Sequence, residues 1–379
     1  MYTTMTSKQR VIAAMNFQEA DRVPRYFSDF WPEFEANWKQ VHGPTDLHKH
    51  FGDDMRLVEP YESAWPTRAG LVEWRGDRAV VRSGWGELKL TQFTAPAEQV
   101  MGELIEPAVK ERIDPEKLRF DDPLLDSRFE HAGKEAAALK DEYFVWCKSG
   151  GPYLRAAFMR GEEQFWMDVV EDPGWTRAFV DRVVDHIVAV AIEGMRRFGL
   201  QDTGIAIYDD VASSSGPFVG PRHYEQVFLP ALRRMVKAYQ AAGARWVMHH
   251  SDGNVLSLLD MWVDAGINAI NPIEFRTGMD PLKIRRQFGN RLVCTGGMDN
   301  CEILPRGDRG EIRDHILVLL EAGRGGGFIF GTQSIGPDIR IETMEYVLEL
   351  LAEYGNYPLQ SFSETSMETS LAKRFKEHR

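Results

Sequence analysis

The sequence predicts an α/β protein, namely a (β/α)8 TIM barrel with a β-hairpin insertion in its N-terminal half. Three observations support this fold class: strand-like and helix-like segments alternate, eight strands can be counted, and polar residues follow most of these strands. Alternation of this kind favours a parallel sheet, and such barrels carry their functional residues at the C-terminal strand ends. A doubly wound open sheet is the alternative.

The elements follow one another in a regular order. Eight apolar-leaning runs are predicted as the strands of the barrel: 23–27, 55–59, 143–148, 204–208, 245–249, 267–270, 291–295 and 327–330. Helices are predicted at 132–139, 221–242, 255–264, 310–322 and 341–354. Thr6-Ser7-Lys8-Gln9 is a capping-box pattern that begins a first helix, and Asp172-Pro173 and Asp280-Pro281 begin two further helices.

One stretch of the N-terminal half has a different character. Residues 71–90 alternate in polarity and contain turn signals at Arg75-Gly76-Asp77 and Ser83-Gly84, a pattern that predicts a β-hairpin. We therefore predict a single barrel domain over residues 1–359, with the hairpin inserted at about 71–90. Residues 360–379 are predicted as a polar C-terminal tail.

Composition and charge exclude several classes of function. The formal net charge is −12, whereas nucleic-acid binding requires a basic surface. The sequence contains no apolar run of roughly 18 residues and no apolar signal segment near Met1, so we expect neither membrane insertion nor secretion. The three cysteines, Cys147, Cys294 and Cys301, form no CxxC pair. We therefore expect a cytoplasmic protein.

The segment "HHSDGN", residues 249–254, becomes ionisable where a buried strand should end. Successive strand residues face opposite sides, so His250 is predicted to face the mouth of the barrel and His249 the helices. A histidine beside a carboxylate such as Asp252 serves as a metal ligand or as a general base. Gly253 is expected to let the chain turn into the next helix.

Other polar residues follow neighbouring strands of the predicted barrel. Asp209 and Asp210 are adjacent carboxylates, and mutual repulsion in a shielded mouth should raise one pKa. The residues that we consider catalytic are Asp209, Asp210, His250 and Asp299. A further set follows or precedes the strand ends and is expected to contact a flat or apolar substrate: Phe27, Asp29, Trp31, Asn271 and Gln333.

Several longer segments carry a resemblance to a known family, and they span nearly the whole chain. They are "TSKQRVIAAMNFQEADRVP" at 6–24, "GGPYLRAAFMRGEEQFWMDVVEDP" at 150–173, "HSDGNVLSLLDMWVDAGINAINPIE" at 250–274, "FGNRLVCTGGMDNCEILPRG" at 288–307, "GGGFIF" at 325–330 and "YGNYP" at 354–358. Together they resemble the uroporphyrinogen decarboxylase superfamily, which also contains corrinoid-linked methyltransferases. The resemblance implies a (β/α)8 barrel.

The chain departs from the decarboxylases of this superfamily at their substrate-binding positions. Their paired arginines after the first strand are matched by "PRYFSDFWPE", which places Asp29 and Glu33 there. The tyrosine of the family is matched by Phe158, which the resemblance adds to the predicted substrate-binding residues. The serine after the fourth strand is matched by Asp209 or Asp210. An acidic mouth repels a polycarboxylate, so we do not expect uroporphyrinogen to be the substrate.

The methyltransferase branch implies a zinc ion held by a His-x-Cys pair and a later cysteine. Here His250-Ser251-Asp252 keeps the histidine but has no cysteine. The resemblance then implies a harder nitrogen and oxygen site, made of His250, Asp252 and either Glu274 or Asp299. Among these the metal ligands that we predict are His250, Asp252 and Glu274.

The function implied by this branch is transfer of a methyl group from a small methylated substrate, such as a methoxyaromatic compound, to a corrinoid protein. Two alternatives stay open: a decarboxylase acting on a small carboxylate, and a non-catalytic barrel that binds a ligand. The sequence does not decide the oligomeric state, and a homodimer is compatible with it.

Overall fold

A parallel sheet of eight strands is the central element of the computed structural model, which describes residues 4–92 and 102–360. The strands of these residues are β1 Arg25–Phe27, β2 Met55–Val58, β3 Gly70–Arg75, β4 Arg78–Arg82, β5 Leu88–Thr91, β6 Glu103–Glu106, β7 Phe144–Gly150, β8 Gly204–Tyr208, β9 Ala212–Ser213, β10 Gly216–Pro217, β11 Trp246–His250, β12 Ala269–Ile273, β13 Val293–Gly297 and β14 Phe328–Thr332. The parallel sheet contains all eight strands predicted from the sequence, with ends that differ by at most three residues.

The order of strands in this sheet is β1-β14-β13-β12-β11-β8-β7-β2. Its two ends meet, because the backbone N–H of Asp54, just before β2, donates to the carbonyl of Arg25 in β1 at 2.9 Å. The sheet therefore curls into a barrel, and the predicted (β/α)8 architecture is confirmed. A doubly wound open sheet would keep its two edges apart.

Helices connect and cover the strands. In the described residues they are α1 Ser7–Met15, α2 Pro32–His42, α3 Leu47–Phe51, α4 Glu130–Leu139, α5 Leu154–Arg160, α6 Glu162–Glu171, α7 Pro173–Phe198, α8 Pro221–Val227, α9 Leu229–Ala241, α10 Leu259–Asp264, α11 Pro281–Phe288, α12 Ile303–Arg306, α13 Arg309–Ala322 and α14 Ile341–Tyr354. The side chains of Thr6, Asp172 and Asp280 accept hydrogen bonds at the first turns of α1, α7 and α11, as the capping patterns predict. None of these helices is both long and apolar enough to cross a membrane.

One predicted helix is two helices. The sequence predicts a single helix over 221–242, whereas the chain forms α8 and α9 with a break at Phe228. Pro230 lies in the first turn of α9, where its missing N–H needs no intrahelical partner. The proline therefore favours a new helix start over a continuous helix.

The barrel interior is filled by large apolar side chains from alternate strand positions. They form one buried cluster that includes Met55, Phe144, Trp146, Met248 and Ile329. Helix α1 adds Val11 and Met15 to the same cluster and so closes the N-terminal end of the barrel. The opposite end, where the strands finish, is left for polar residues. This asymmetry places the candidate site at the C-terminal mouth.

The insertion is larger than predicted. A hairpin over 71–90 accounts for β3, β4 and part of β5, but the structure forms a four-stranded antiparallel sheet in the order β3-β4-β5-β6. Gly76, with φ of +66°, turns the chain between β3 and β4 as the Arg75-Gly76-Asp77 pattern indicates. The fourth strand, β6, was not predicted because it follows a polar segment of sequence that contains a proline. The predicted C-terminal tail spans residues 360–379, and its residues from 361 onward lie outside the described part of the chain.

His186 in α7 makes the stability of the barrel dependent on pH. It is buried and its Nε2 lies 3.3 Å from the carbonyl of Ser63; burial, with the nearby Arg128 charge, lowers its pKa to about 4. The unfolded chain takes up this proton near pH 6.5 and the folded chain only near pH 4. Stability from His186 is thus complete above pH 6.5 and is lost as the pH falls towards 4.

We expect wild-type protein to lose about 2 kcal/mol of unfolding free energy through this group between pH 7 and pH 5. The His186→Gln variant, which keeps a hydrogen-bond donor, should lack this part of the pH dependence. Urea unfolding of both proteins at the two pH values measures the difference. Parallel losses in the two proteins would show that His186 does not titrate in this way.

Candidate active site

The candidate site lies where β8, β11 and β12 end. Tyr208, His250 and Asn271 occupy neighbouring positions in the sheet register, so the three side chains meet at one level of the barrel mouth. The rings of Tyr208 and His250 are stacked, with centroids 4.0 Å apart and an interplanar angle of 11°. His250 therefore faces the mouth, as strand alternation predicts.

The amide of Asn271 sets the orientation of the His250 ring. Its Oδ1 lies 2.6 Å from His250 Nδ1, and an amide oxygen only accepts, so Nδ1 carries the proton that is donated. Nε2 is then the basic nitrogen, and it points to two carboxylates. Asp252 Oδ1 lies 3.4 Å from it and Asp210 Oδ1 3.8 Å.

Asp210, His250 and Asp252 form a cluster that can hold a metal ion. One ligand atom from each residue lies within 4.8 Å of the others. One imidazole nitrogen and two carboxylate oxygens are donors that suit zinc or a similar divalent ion. Asn271 supplies the hydrogen bond that commonly fixes a metal-binding histidine. The donor set therefore fits the nitrogen and oxygen site that the family resemblance implies.

The cluster differs from the predicted metal ligands in one member. Asp210 is the third member instead of the predicted Glu274, because the register puts Asp210 and His250 on adjacent strand ends. Glu274 Oε2 instead accepts a hydrogen bond from the backbone N–H of Gly253 at 3.1 Å. Its pKa is raised by burial and by the nearby Asp252 charge. Glu274 thus supports the loop that carries Asp252.

Two further contacts hold the loop after β11 in place. The Gln333 amide donates to Asp252 Oδ1, and the backbone N–H of Asp252 donates to Asp210 Oδ1 at 3.1 Å. Gly253 has a φ of +83°, and a Cβ there would lie 2.4 Å from the carbonyl oxygen of Ser213. The tight turn predicted at Gly253 is therefore confirmed, and it requires glycine.

The adjacent carboxylates Asp209 and Asp210 are separated by the structure. Asp209 is fully buried and accepts backbone hydrogen bonds from Tyr153 and Leu154, with Oδ1 at 3.1 and 2.6 Å. Burial raises its pKa to about 7, and repulsion by Asp210 is a smaller cause, whereas the sequence suggested repulsion alone. A Cβ on Gly151 would lie 2.3 Å from Asp209. Asp209 thus anchors the loop after β7, and Asp210 is the member that reaches the mouth.

His249 points away from the mouth, as predicted. It is fully buried and stacks on Trp262, with ring centroids 3.8 Å apart. Neither ring nitrogen makes a hydrogen bond of ordinary geometry within the described residues. Burial, together with the nearby His250, lowers its pKa to about 3, so the ring is neutral.

Asp299 lies in the turn that leads into the short helix α12. Its Oδ1 accepts the backbone N–H groups of Cys301 and Glu302 in this turn at 2.9 and 2.7 Å. No contact between Asp299 and the metal-binding cluster is present among the described residues. The structure thus offers another role for Asp299 besides the predicted catalytic one, namely holding the turn before α12.

The predicted substrate-binding residues fall into different environments. Phe27 is buried in the core, packed on Phe51 and Phe330, so the prediction that it contacts substrate is wrong. Phe27 is adjacent to Tyr26, whose side chain points into the barrel. The Phe27 side chain therefore points to the opposite face of β1. Trp31 is 49% exposed at the start of α2.

Two more of these residues lie away from the cluster. The Asp29 side chain is exposed, while its backbone carbonyl accepts from Ile335 beside β14. Phe158 is half-buried, and the Lys89 ammonium from the inserted sheet lies 4.9 Å from its ring centroid. Asn271 and Gln333, in contrast, both contact members of the cluster.

Two residues of the mouth, Lys148 and Tyr208, were not predicted from the sequence. The Lys148 ammonium pairs with Glu59 at 2.8 Å and lies 4.7 Å from the ring centroid of Tyr208. Lys148 interrupts an otherwise apolar strand, and Tyr208 is the last residue of β8, two residues before Asp210. Strand alternation was the signal that could have identified both.

The fold and the site together define an α/β barrel protein with one histidine and two carboxylates at its catalytic face. The sequence matches the profile of the family described as Uroporphyrinogen decarboxylase (URO-D) over residues 97–354. The chain therefore belongs to the uroporphyrinogen decarboxylase family, as the resemblance indicated.

One solved structure agrees on the fold. A methyltransferase from Methanosarcina mazei is similar with a TM-score of 0.65 and 17% sequence identity, over 92% of this chain and 99% of that one. A GH27 β-L-arabinopyranosidase from Geobacillus stearothermophilus has a TM-score of 0.38 and 11% identity, over 92% of this chain and 77% of that one. No curated protein matches the sequence.

Proposed function

We propose that this protein transfers a methyl group from a small methylated substrate to the corrinoid of a partner protein. The observation that carries the proposal is the cluster of Asp210, His250 and Asp252 at the barrel mouth. Such a cluster could hold zinc, which would act as a Lewis acid on the heteroatom that carries the methyl group. Membership of a family that resembles the corrinoid-linked methyltransferases is consistent with this reaction.

The reaction has a simple balance. The bond between the substrate heteroatom and its methyl carbon breaks, and the heteroatom keeps the electron pair and takes a proton from water. The methyl carbon forms a new bond to the reduced corrinoid cobalt, which supplies both electrons. A reduced corrinoid on a partner protein is therefore the co-reactant that the proposal requires.

Neighbouring side chains of this protein orient the residues of the cluster. Asn271 fixes the His250 ring so that Nε2 faces the two carboxylates. The Gln333 amide holds Asp252, and the ring of Tyr208 forms a wall beside His250. Side chains fixed in this way lose little freedom when a ligand binds, so the site is preorganised.

Metal loading and methyl transfer test the proposal together. Protein treated with a chelator and then reloaded with zinc should bind one ion per chain and form methylcobalamin from cob(I)alamin and methoxylated aromatic donors. The Asp210→Asn variant should bind zinc at least roughly ten-fold more weakly, since it removes a charged ligand. Glu274→Gln is the matched control and should keep the zinc affinity, because Glu274 lies outside the cluster.

Two outcomes would contradict methyl transfer. Release of carbon dioxide from a small carboxylate by metal-free protein would indicate a decarboxylase. Protein that binds a ligand but leaves it unchanged, with or without zinc and corrinoid, would indicate a non-catalytic barrel.

A further inference from the structure

A second feature of the mouth is an open cavity over the ends of β12, β13 and β14. Apolar surface comes from Ile273, Phe275 and Met298, and charged or polar groups come from Arg276, Asp299 and Thr332. An apolar wall with a few polar groups is the usual composition of a small-ligand pocket. The cavity is therefore suited to a small molecule with one polar end.

Two buried polar atoms at this cavity have no protein partner in the described part of the chain. Asp299 is only 7% exposed, and while its Oδ1 accepts backbone N–H groups of the turn before α12, its Oδ2 accepts no hydrogen bond. Thr332 is 2% exposed, and its Oγ1 is also without a partner. Buried polar atoms of this kind are costly unless a ligand or water satisfies them.

The two residues belong to adjacent strand ends. The backbone N–H of Met298 donates to the carbonyl of Gly331 at 2.9 Å. Asp299 is the next residue after Met298, and Thr332 is the next residue after Gly331. A carboxylate oxygen and a hydroxyl oxygen at neighbouring positions both accept hydrogen bonds. The group that satisfies both is a donor with more than one N–H.

The cavity adjoins the metal-binding cluster. Glu274 and Gln333 line the cavity, and Gln333 also donates to Asp252 of the cluster. Glu274 accepts from Gly253, in the loop that carries Asp252. A substrate whose methyl-bearing atom lies at the cluster can therefore extend its other end over Gln333 into the cavity.

Charge favours a cation in this cavity. Within residues 4–92 and 102–360, four carboxylates of the mouth form no ion pair with a lysine or an arginine, and two of them lie near His250 instead: Asp210, Asp252, Glu274 and Asp299. The Arg276 guanidinium lines the cavity and offsets one of these charges, and a divalent ion at the cluster would offset two. One negative charge is left, and a monocation matches it.

We propose that Asp299 Oδ2 and Thr332 Oγ1 bind a protonated amine at the far end of the methyl-donating substrate. This inference rests on the proposed function and names the class of substrate: a small methylated compound with an ammonium group. The ammonium donates one N–H to the Asp299 carboxylate and a second to the Thr332 hydroxyl. The methylated end is then directed towards the cluster.

Binding of three probes of equal length tests the inference. They share a methoxy group and differ at the other end: methoxyethylammonium, methoxyethanol and methoxyacetate. Calorimetry at pH 8 on zinc-loaded protein should show the ammonium binding roughly ten-fold more tightly than the alcohol, as expected for a charge-assisted hydrogen bond. The carboxylate should bind most weakly.

Two variants locate the site without unfolding the protein. Asp299→Asn keeps an oxygen that accepts from the Cys301 and Glu302 N–H groups but replaces the free oxygen with an amide nitrogen, so affinity for the ammonium should fall roughly ten-fold. Thr332→Val removes a hydroxyl that has no protein partner, so affinity should fall while Tm stays the same or rises. Asp308→Asn, at the cap of α13, is the matched control and should bind the ammonium as wild type does.

The possible results separate this inference from the proposed function. Equal affinity for the three probes, tighter binding of the alcohol, or an unchanged Asp299→Asn variant would overturn the ammonium site. Methyl transfer without amine selectivity would also overturn it and leave the proposed function intact. Amine binding that depends on Asp299, in protein that never binds zinc or transfers methyl groups, would overturn the proposed function alone.

Discussion

The His250→Ala variant is expected to lose metal binding and methyl transfer, by at least roughly 100-fold, while its free energy of unfolding falls by about 1 kcal/mol. The side chain supplies the one nitrogen of the cluster, so nothing else in the cluster replaces its Nε2. Its ring stacks on Tyr208 and makes one hydrogen bond to Asn271, and its Nε2 lies near the carboxylates of Asp210 and Asp252. Zinc titration gives a readout that does not depend on the identity of the substrate.

Its neighbour His249 should behave in the opposite way. His249→Ala removes a fully buried ring stacked on Trp262, and the cavity should cost about 3 kcal/mol of stability. His249→Phe keeps the ring but removes two nitrogens without hydrogen-bond partners, so stability should be retained. Both variants should bind zinc. Equal losses of stability in His250→Ala and His249→Ala, with activity per folded molecule intact, would mean that both histidines only pack.

The fold could be predicted because its signals are local. Each barrel strand is an apolar run, and capping residues such as Thr6, Asp172 and Asp280 mark helix starts. The fourth strand of the inserted sheet could not be predicted in this way. Its residues, 103–106, are mostly exposed and pair with β5 across a polar connection, so neither burial nor a short turn marks them.

Only those features of the site that depend on the alternation of side chains along a strand could be predicted from the sequence. Alternation places His250 and Asp210 in the mouth, and it would also have excluded Phe27, which is adjacent to inward-facing Tyr26. The exchange of Glu274 for Asp210 in the cluster depends on register between strands that are distant in sequence. The separation of Asp209 from Asp210 depends on which backbone N–H groups the fold brings to each carboxylate.

Asp168, outside the barrel mouth, is the residue at which a single change should most affect stability. It lies in α6, is fully buried, and its Oδ2 accepts from Arg160 Nε at 2.6 Å. Its Oδ1 accepts from Arg112 Nε at 2.9 Å and from Gln164 at 3.1 Å. Burial alone would raise its pKa, but these hydrogen bonds outweigh burial and hold the pKa below its usual value.

The Asp168→Ala variant should therefore lose about 3–5 kcal/mol of unfolding free energy, because Arg160 stays buried without its carboxylate. Glu171→Ala is the matched control: it removes the exposed partner of the same Arg112 and should cost less than about 1 kcal/mol. Urea unfolding at pH 7 compares the two variants. Since a lowered carboxyl pKa stabilises the fold above the unfolded value of 3.8, the wild-type advantage should shrink as the pH falls below about 4. Similar small losses in both variants would show that the Arg160 and Asp168 pair contributes no more than a surface pair.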